Sequence, residues 1–291
     1  MRKVWIGFGL LVVLGGVAFV AVSWWAAVRH SAPVPFPVGP PPADFPVPLE
    51  SVTFETDDGL RLKGWYGAQQ PSAGVVILLH SYRAGRWLML TRAQWYAERG
   101  FSVLLYDARA TGESEGDRIS LGWHETRDLL AAINFVRQRG ETRIIGHGIS
   151  QGGATLLLAA DRLGDEVQAI IVESTYDTLI NAGDRRFRYR VGLPGAVAGF
   201  VYRPFMAWRL GLRVADVRPI DGIARLTQPV LVMAGSADRH TWESDTRRLY
   251  AAARGPARLW IAEGAAHEDL LTYDPEAFLT ALDQFLQRYV M

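Results

Sequence analysis

Short apolar runs alternate with longer amphipathic stretches along the chain from about residue 50 onward. The apolar runs are residues 75–79, 101–106, 143–145, 167–172, 230–233 and 259–262. The helical stretches are residues 87–99, 124–139, 153–163, 242–253 and 275–290. A β-hairpin precedes them, because residues 52–56 and 60–65 flank a turn of Asp57, Asp58 and Gly59. Apolar strands separated by helices are typical of a parallel sheet covered on both faces, so the sequence predicts an α/β fold.

A G-x-S-x-G pattern occurs twice, around Ser114 and around Ser150. In a nucleophile elbow, this pattern sits between a strand and a helix, so that a strained turn exposes the serine hydroxyl. Ser150 has the apolar run RIIGHG before it and the helical stretch GGATLLLAA after it. Ser114 lies well past its strand and between two glutamates, which would oppose an anionic intermediate. We therefore predict that Ser150 is a nucleophile and that Ser114 is a loop residue.

A serine nucleophile needs a general base, and the base needs an orienting acid. When the nucleophile follows a strand in such a sheet, the acid and then the histidine come later in the chain. Asp238 follows the apolar run VLVMAG, and His267 follows LWIAEG, so both are expected at carboxyl ends of strands. Asp177 is the alternative acid. The other histidines are weaker candidates for the base: His30, His124, His147 and His240.

An oxyanion hole requires two backbone N–H groups directed at the developing negative charge. The N–H of Gln151 is one candidate, because it begins the helix after Ser150, where the helix dipole also favours an anion. The second N–H is expected from the loop after residues 75–79, which begins His80-Ser81-Tyr82-Arg83. Ser81 and Tyr82 are both candidates, and we favour Tyr82.

Five segments in the order LLHSYRAG, LLYDARATGESEG, GHGISQGG, PVLVMAGSAD and GAAHED resemble the α/β-hydrolase superfamily. The likeness is greatest to its branch of serine aminopeptidase-like and monoacylglycerol lipase-like proteins, and it covers about residues 50–291. The resemblance implies an α/β-hydrolase fold with a helical cap, in which Ser150 is the nucleophile, Asp238 the acid and His267 the base. It also implies that residues 107–116 form a structural loop, which explains the second G-x-S-x-G pattern.

Two positions depart from the pattern of that family. The usual His-Gly of the oxyanion loop is His80-Ser81 here, and serine allows fewer backbone conformations than glycine. The oxyanion loop is therefore expected to be narrower or differently directed. The usual Arg-Gly is Arg109-Ala110, and this change is expected to affect structure only.

The N-terminal segment contains 25 consecutive uncharged residues, from Val4 to Val28. About 20 apolar residues suffice for a helix to cross the hydrocarbon core of a bilayer. The alternative, a cleaved signal peptide, has a shorter apolar core and ends in small residues, where this chain has Trp24 and Trp25. We predict an uncleaved membrane anchor over residues 1–30. Because Arg2 and Lys3 precede the run, the positive-inside rule favours a catalytic domain on the extracytoplasmic side.

A proline-rich linker over residues 31–49 follows, with eight of the chain's 15 prolines between Pro33 and Pro48. Such a stretch favours polyproline II, at about 3.1 Å per residue. It is expected to be a semi-rigid spacer that holds the rest of the chain some tens of ångströms from the bilayer. A docking site for a proline-binding partner is the alternative.

A cap is predicted over about residues 177–219, within a catalytic domain of residues 50–291. Between Arg185 and Arg213 this segment carries seven arginines, interleaved with aromatic residues, and no acidic residue. One interpretation is an amphipathic cap whose arginines face water. The other is a lid that contacts anionic lipid or an anionic substrate, because basic faces with aromatic residues favour membrane interfaces.

The composition excludes several classes of function. The chain has no cysteine, which excludes a disulfide scaffold, a thiol nucleophile and cysteine-ligated metal sites. A net charge of +1 gives no indication of nucleic-acid binding, and neither a cofactor nor a metal is predicted. The expected function is a membrane-anchored serine hydrolase that cleaves an ester, thioester or amide of a small or lipid-like acyl substrate, as a carboxylesterase or lipase does. The alternatives are an aminopeptidase-like serine peptidase and a non-catalytic binding module.

Overall fold

The computed structural model describes residues 2–192, 195–267 and 269–291. The strands are β1 Val34–Pro35, β2 Leu49–Glu55, β3 Arg61–Gly67, β4 Val75–Leu79, β5 Ser102–Tyr106, β6 Thr111–Gly112, β7 Ile144–Ile149, β8 Val167–Glu173, β9 Val230–Gly235 and β10 Ala257–Ala262. The α-helices are α1 Arg2–Ser31, α2 Leu90–Ala97, α3 Glu125–Gln138, α4 Gln151–Leu158, α5 Leu179–Val191, α6 Gly195–Leu210, α7 Pro219–Ile223, α8 Glu243–Ala252, α9 Leu270–Tyr273 and α10 Pro275–Tyr289.

Eight of the strands form one sheet, in the order β10-β9-β8-β7-β4-β5-β3-β2. Neighbours from β10 to β5 are parallel, whereas β3 pairs antiparallel with both β5 and β2. The predicted α/β fold with a mostly parallel sheet and an N-terminal hairpin is therefore confirmed. Successive strands joined by helices bring their carboxyl ends to one edge of such a sheet, where a site is expected.

Both faces of the sheet are buried. In β4, Ile77 packs into a core on one face, together with Leu129 of α3. Leu78, the next residue, packs into a second core on the opposite face, together with Phe278 and Phe285 of α10. Successive side chains of a strand point to opposite faces, so a strand covered on both sides needs apolar residues at every position. This explains why the runs in the sequence are continuously apolar.

α1 is a continuous helix whose apolar side chains are mostly exposed. Its segment Trp5–Ser31 has a mean hydropathy of 2.4 and is long and apolar enough to cross a membrane. Near its C-terminal end the exposure changes, because Ala27 is fully buried against Met206 and Leu210 of α6. α1 is therefore solvent-exposed in its first two thirds and packed against the rest of the chain at its end.

The expectation of a spacer is wrong, because the proline-rich segment is hydrogen-bonded to residues 110–112. Val34 donates its N–H to the carbonyl of Ala110 (2.8 Å), and Phe36 donates to Gly112 (3.1 Å). β1 is consequently a short parallel partner of β6. Prolines occupy alternate positions here, so the residues between them present every available N–H on one side, as proline permits in an edge strand.

The segment predicted as a cap contains α5 and α6, and its arginines do not all face water. Arg203 pairs with Asp184 inside the segment, and Arg185 pairs with Asp245 of α8. Arg209 donates to the backbone carbonyl of Asp117, at 2.9 Å. These arginines join α5 and α6 to each other, to α8 and to the loop of Asp117, so the basic segment has acidic and carbonyl partners both within it and outside it.

Candidate active site

Ser150 lies at the junction between β7 and α4, at the carboxyl edge of the sheet. Its backbone angles, φ +52° and ψ −106°, fall outside the regions that non-glycine residues ordinarily adopt. The N–H of Ser150 donates to the carbonyl of Glu173 at the end of β8 (2.7 Å), which holds the turn in place. Ser150 thus has the sharp strand-to-helix turn of a nucleophile elbow.

Two glycines make this turn possible because other backbone atoms occupy the space of a side chain. A Cβ atom on Gly148 would lie 2.3 Å from the carbonyl carbon of Gly152. A Cβ on Gly152 would lie 2.3 Å from the carbonyl oxygen of Leu79, at the end of β4. Both distances are far below a van der Waals contact, so the glycines of the G-x-S-x-G pattern are a steric requirement of this turn.

Asp238 and His267 are brought together by the neighbouring strands β9 and β10. The Nδ1 atom of His267 lies 2.7 Å from Oδ2 of Asp238. The same carboxylate accepts hydrogen bonds from the hydroxyl (2.5 Å) and the N–H (2.9 Å) of Thr241, and from the N–H of His240 (2.7 Å). These donors to Asp238 come from residues 240–241 of one loop and from the imidazole of His267.

Asp238 carries a negative charge that its surroundings stabilise. Burial alone would raise the pKa of its carboxyl group, but the hydrogen bonds from His267 and Thr241 outweigh burial and lower the pKa below its ordinary value. An ionised Asp238 at Nδ1 makes that nitrogen the donor, so the neutral imidazole of His267 keeps Nε2 as a base. Sequence reasoning did not identify Thr241, which follows the acid by three residues.

Asp177, the alternative acid, is engaged elsewhere. Its carboxylate accepts hydrogen bonds from the side-chain amide of Asn181 (2.9 Å) and from Arg248 of α8 (2.8 Å). These contacts join the start of α5 to α8, so the carboxylate of Asp177 serves to hold these two helices together. The structure brings Asp238, and not Asp177, to the imidazole of His267.

The other candidate bases also have surroundings of their own. The ring of His124 lies 2.9 Å from the carbonyl of Leu210, and Nδ1 of His30 lies 2.8 Å from the hydroxyl of Tyr202. His240 donates its backbone N–H to Asp238, while its ring lies beside that of His267, with centroids 5.1 Å apart. His240 therefore lines the site as a neighbour of His267.

Ser114 lies in a hydrogen-bonded loop, as predicted for the second G-x-S-x-G pattern. Its hydroxyl donates to the carbonyl of Asp107 (2.6 Å) and accepts from the N–H of Lys63 (2.9 Å). Both bonds connect the loop to the ends of β5 and β3. Ala110, where the family usually has glycine, adopts φ +59° in the same loop. The Arg-Ala departure therefore places a methyl group in the left-handed region, which glycine adopts at lower cost.

The loop after β4 is a hydrogen-bonded turn held from below by His80. The N–H of Ala108 donates to Nε2 of His80 (3.0 Å), so the proton of the neutral ring lies on Nδ1 and is donated to the carbonyl of Ser81 (2.7 Å). The N–H of Ala84 donates to the same carbonyl (3.2 Å), which closes the turn. Arg83 at the corner has φ +59°, whereas Ser81 does not have a positive φ.

This arrangement defines the direction of the Tyr82 N–H. In a trans peptide the carbonyl and the following N–H point in opposite directions. The carbonyl of Ser81 points to the buried ring of His80, so the N–H of Tyr82 points away from it. Gln151, the other predicted donor, is the first residue of α4, where N–H groups lack an intrahelical acceptor.

A buried ionic network lies beneath the site, and sequence reasoning did not find it. Arg92 of α2 donates from Nε (2.6 Å) and Nη2 (2.7 Å) to the two carboxylate oxygens of Glu173. Glu173 also accepts from Nε2 of His147 (2.6 Å), whose Nδ1 lies 3.0 Å from the hydroxyl of Tyr96. Nη2 of Arg92 reaches Asp269 as well, at 2.8 Å. The network joins the end of β8 to the segment that carries His267.

Charge compensation explains why these groups can be buried. Burial would raise the pKa of Glu173, but Arg92 and His147 lower it to about 2. Burial lowers the pKa of His147, which keeps its ring neutral at physiological pH. Among the residues that the structure describes, no group of three or more His, Asp or Glu side chains is placed to hold a metal ion.

Residues 76–281 match the alpha/beta hydrolase family. The chain is 29% identical over 283 residues to Rv2307c of Mycobacterium tuberculosis, covering 95% of this chain and 92% of the relative. It is 28% identical over 235 residues to YqkD of Bacillus subtilis, covering 78% and 76%. The alpha/beta hydrolase domain-containing protein WAV2 of Arabidopsis thaliana is 27% identical over 308 residues, covering 97% and 93%.

Solved structures show the same fold. The esterase Pf2001 of Pyrococcus furiosus superposes with a TM-score of 0.75 at 24% identity, over 90% of this chain and 100% of that one. The esterase EaEST of Exiguobacterium antarcticum superposes with a TM-score of 0.62 at 16% identity, over 82% and 100%. Fold and sequence agree with the predicted resemblance to the α/β-hydrolase superfamily: this chain belongs to the alpha/beta hydrolase family.

Proposed function

We propose that this alpha/beta hydrolase is a serine hydrolase that cleaves an ester, thioester or amide through an acyl-enzyme, with carboxylesterase or lipase-like activity. The observation that carries the proposal is the 2.7 Å contact between His267 and Asp238 at the edge of the sheet where Ser150 occupies a strained elbow. Each residue type and each backbone setting matches a role in nucleophilic catalysis.

In the first half of the reaction, Oγ of Ser150 attacks the acyl carbon as Nε2 of His267 removes the hydroxyl proton. Asp238 stabilises the imidazolium that forms, because its carboxylate is already ionised and bonded to Nδ1. The acyl oxygen becomes an anion, which the N–H groups of Gln151 and Tyr82 stabilise. His267 then donates its proton to the leaving group, which leaves the acyl group on Ser150.

In the second half, water replaces the leaving group. His267 removes a proton from the water as its oxygen attacks the acyl carbon, and the second tetrahedral anion occupies the same pair of N–H groups. Collapse of this intermediate returns the proton from His267 to Oγ of Ser150 and releases the acid. The charge on Asp238 stays the same throughout, so one carboxylate serves both halves.

A fluorophosphonate probe tests the nucleophile directly, because it reacts with an activated serine irrespective of the substrate. Ser150→Ala is expected to abolish labelling. Ser114→Ala is the matched control, since it removes a serine from the same pattern and is expected to label like the wild type. Labelling of Ser150→Ala, or its loss in Ser114→Ala alone, would overturn the assignment.

Substrate profiling separates the proposal from its alternatives. p-Nitrophenyl esters of increasing acyl length are expected to be hydrolysed, whereas aminoacyl amides test the peptidase alternative. Faster turnover of the amides would favour the peptidase. The binding-module alternative predicts that wild-type protein turns over neither series and does not label.

The proposal extends to the membrane: α1 spans a bilayer as an uncleaved anchor, with the catalytic domain on the extracytoplasmic side. Its length and mean hydropathy support a span, and Arg2 and Lys3 before it favour a cytoplasmic N-terminus. Intact mass of the membrane-extracted protein separates an anchor from a signal peptide, which would be removed. Protease added to sealed vesicles of known orientation then reports the side of the catalytic domain.

The cap supports an acyl substrate with a lipid-like character. Phe200 and Trp208 of α6 are 80% and 68% exposed, and α6 packs on the end of α1. Exposed aromatic residues beside a membrane helix favour the interface of the bilayer. Full-length protein in vesicles with and without phosphatidylglycerol tests the contact with anionic lipid. Equal activity in both vesicles would contradict that part of the proposal.

A further inference from the structure

The last turn of α1 is bound by the loop that follows β4. The hydroxyl of Tyr82 donates to the carbonyl of His30 at 2.6 Å. Nη1 of Arg83, the next residue, donates to the carbonyl of Arg29 at 3.2 Å. Tyr82 and Arg83 are the two corner residues of the turn that carries the proposed second oxyanion donor.

These bonds satisfy a general need of helix ends. The last carbonyls of an α-helix have no intrahelical partner, and they require donors from elsewhere. In α1, the carbonyls of Arg29, His30 and Ser31 all accept bonds from residues outside the helix, the third from the N–H of Ile119 at 2.9 Å. All three donors belong to the catalytic domain, so its loops form the C-terminal cap of the membrane helix.

The end of α1 is also held from the side of the cap. Ala27 is buried against α6, and the rings of Trp24 and Phe205 meet edge to face with centroids 5.5 Å apart. This packing against α6 fixes the position of the end of α1, and Tyr82 contacts that end from the other side.

Tyr82 contacts the end of α1 with its side chain and the proposed oxyanion hole with its backbone. Its N–H is the proposed oxyanion donor, and its side chain is bonded to α1. An oxyanion donor must lie about 2.7–3.1 Å from the developing anion, so small shifts of the turn lower the rate. His80 fixes the carbonyl side of the Ser81–Tyr82 peptide, and the tyrosine hydroxyl fixes the other end of the turn.

We propose that the hydrogen bond from Tyr82 Oη to the His30 carbonyl positions the oxyanion loop, so that α1 is a structural part of the active site in addition to an anchor. The inference rests on the proposed serine hydrolase function. Through its side chain, Tyr82 is a positioning residue, since the bond to α1 acts on the reacting atoms only by way of the backbone N–H.

Tyr82→Phe in the full-length chain, purified in detergent micelles, tests the proposal. The variant keeps the ring and the backbone N–H and loses only the hydroxyl. The rate constant of fluorophosphonate labelling and the kcat for p-nitrophenyl butyrate are expected to fall about tenfold, part of the 10²–10³ that loss of a whole oxyanion donor costs. KM is expected to stay within about twofold, because the Tyr82 N–H that the hydroxyl positions stabilises the transition state and not the bound substrate.

Two tyrosines provide matched controls for the loss of a hydroxyl. Tyr202→Phe removes the hydroxyl that contacts His30, whereas the packing of Ala27 and Trp24 against α6 is kept. Tyr66→Phe removes a hydroxyl that donates to Glu141, at 3.1 Å. Tyr66 lies in β3, near one edge of the sheet, whereas His267 follows β10, the strand at the other edge. Both are expected to retain labelling and kcat within about twofold of the wild type.

The outcomes separate this inference from the function on which it rests. A Tyr82→Phe protein with wild-type labelling and kcat, or an equal loss in Tyr202→Phe, would overturn the positioning role while Ser150→Ala still abolished labelling. Persistent labelling of Ser150→Ala would overturn the proposed function itself. A fall confined to Tyr82→Phe, without a matching fall in thermal stability relative to Tyr202→Phe, supports the role of α1.

Discussion

The Nη2 atom of Arg92 donates a 2.8 Å hydrogen bond to Oδ1 of Asp269, two residues after His267. The same guanidinium binds both carboxylate oxygens of Glu173, the last residue of β8. β7, which leads to Ser150, pairs with β8 in register at Glu173. Arg92 therefore connects the strand pair below the nucleophile to the segment that carries the base.

Arg92→Met is expected to lower the free energy of unfolding by about 3–5 kcal/mol, because it leaves the carboxylate of Glu173 buried without its cation. Adding Glu173→Gln in the same chain is expected to recover part of that loss, since the uncompensated charge is then absent. Urea unfolding in detergent micelles measures both. A double variant no more stable than Arg92→Met would contradict the charge argument.

Asp238→Asn is expected to lower kcat about 10⁴-fold, because an amide at this position no longer stabilises the imidazolium of His267 and favours the wrong tautomer. Asp177→Asn is the matched control. It weakens the bonds to Arg248 and Asn181 and is expected to change thermal stability, with kcat within a few fold of the wild type. A larger effect on kcat in Asp177→Asn would reverse the two roles.

The contribution of His147 to the stability of the protein is expected to fall with acidification below pH 7. Burial lowers the pKa of His147 in the folded chain, so the unfolded chain binds more protons near pH 6. The contribution of His147 is complete above the unfolded pKa of about 6.5, and it is lost as pH falls from there through the lower pKa of the folded chain. His80, whose pKa burial also lowers, adds to the same trend.

A variant isolates this effect from other titrating groups. His147→Asn cannot be protonated in this range, so its melting temperature is expected to fall less between pH 7.5 and pH 5.5 than that of the wild type. Thermal unfolding followed by circular dichroism in one detergent gives the comparison. Parallel curves for the two proteins would show that His147 makes no contribution to the pH dependence. Glu173, with a pKa of about 2, contributes only at lower pH.

Val34→Pro is expected to detach the proline-rich segment from β6, because proline removes the N–H that donates to Ala110. Faster limited proteolysis within residues 31–49 is the expected result. Val34→Ala keeps the N–H and serves as the control, with cleavage at the wild-type rate. Equal cleavage of both variants would mean that the backbone bond does not hold the segment.

The elements that carry Ser150, Asp238 and His267 could be predicted because each residue lies within about five residues of the carboxyl end of an apolar strand. A parallel sheet brings such positions together whatever the details of packing, and the contact of Asp238 with His267 reflects the adjacency of β9 and β10. The local rule of strand before and helix after also distinguished Ser150 from Ser114. The strand positions and the choice between the two serines can each be read from a few consecutive residues of the sequence.

Other features depend on partners far away in the sequence. Arg92 and Glu173 are 81 positions apart, and a single arginine in a helix gives no sign of burial. The binding of the proline-rich segment depends on acceptors in residues 110–112, which polyproline propensity does not describe. The sequence between Arg185 and Arg213 contains no acidic residue, whereas in the fold Arg185 pairs with Asp245 of α8. The local sequence pattern therefore predicts helices and strands, whereas the partners of charged side chains become known only from the folded structure.

The capped end of α1 also bears on how substrate is encountered. With α1 across a bilayer, the bonds to Arg29, His30 and Ser31 hold Ser150 at one height above the lipid, without a spacer to vary it. Molecules dissolved in bulk water then compete with molecules confined to the surface, whose effective concentration at that height is far greater. The rate of turnover would then depend on the number of substrate molecules per unit area of membrane. Adding water to a suspension of the vesicles would leave that rate unchanged.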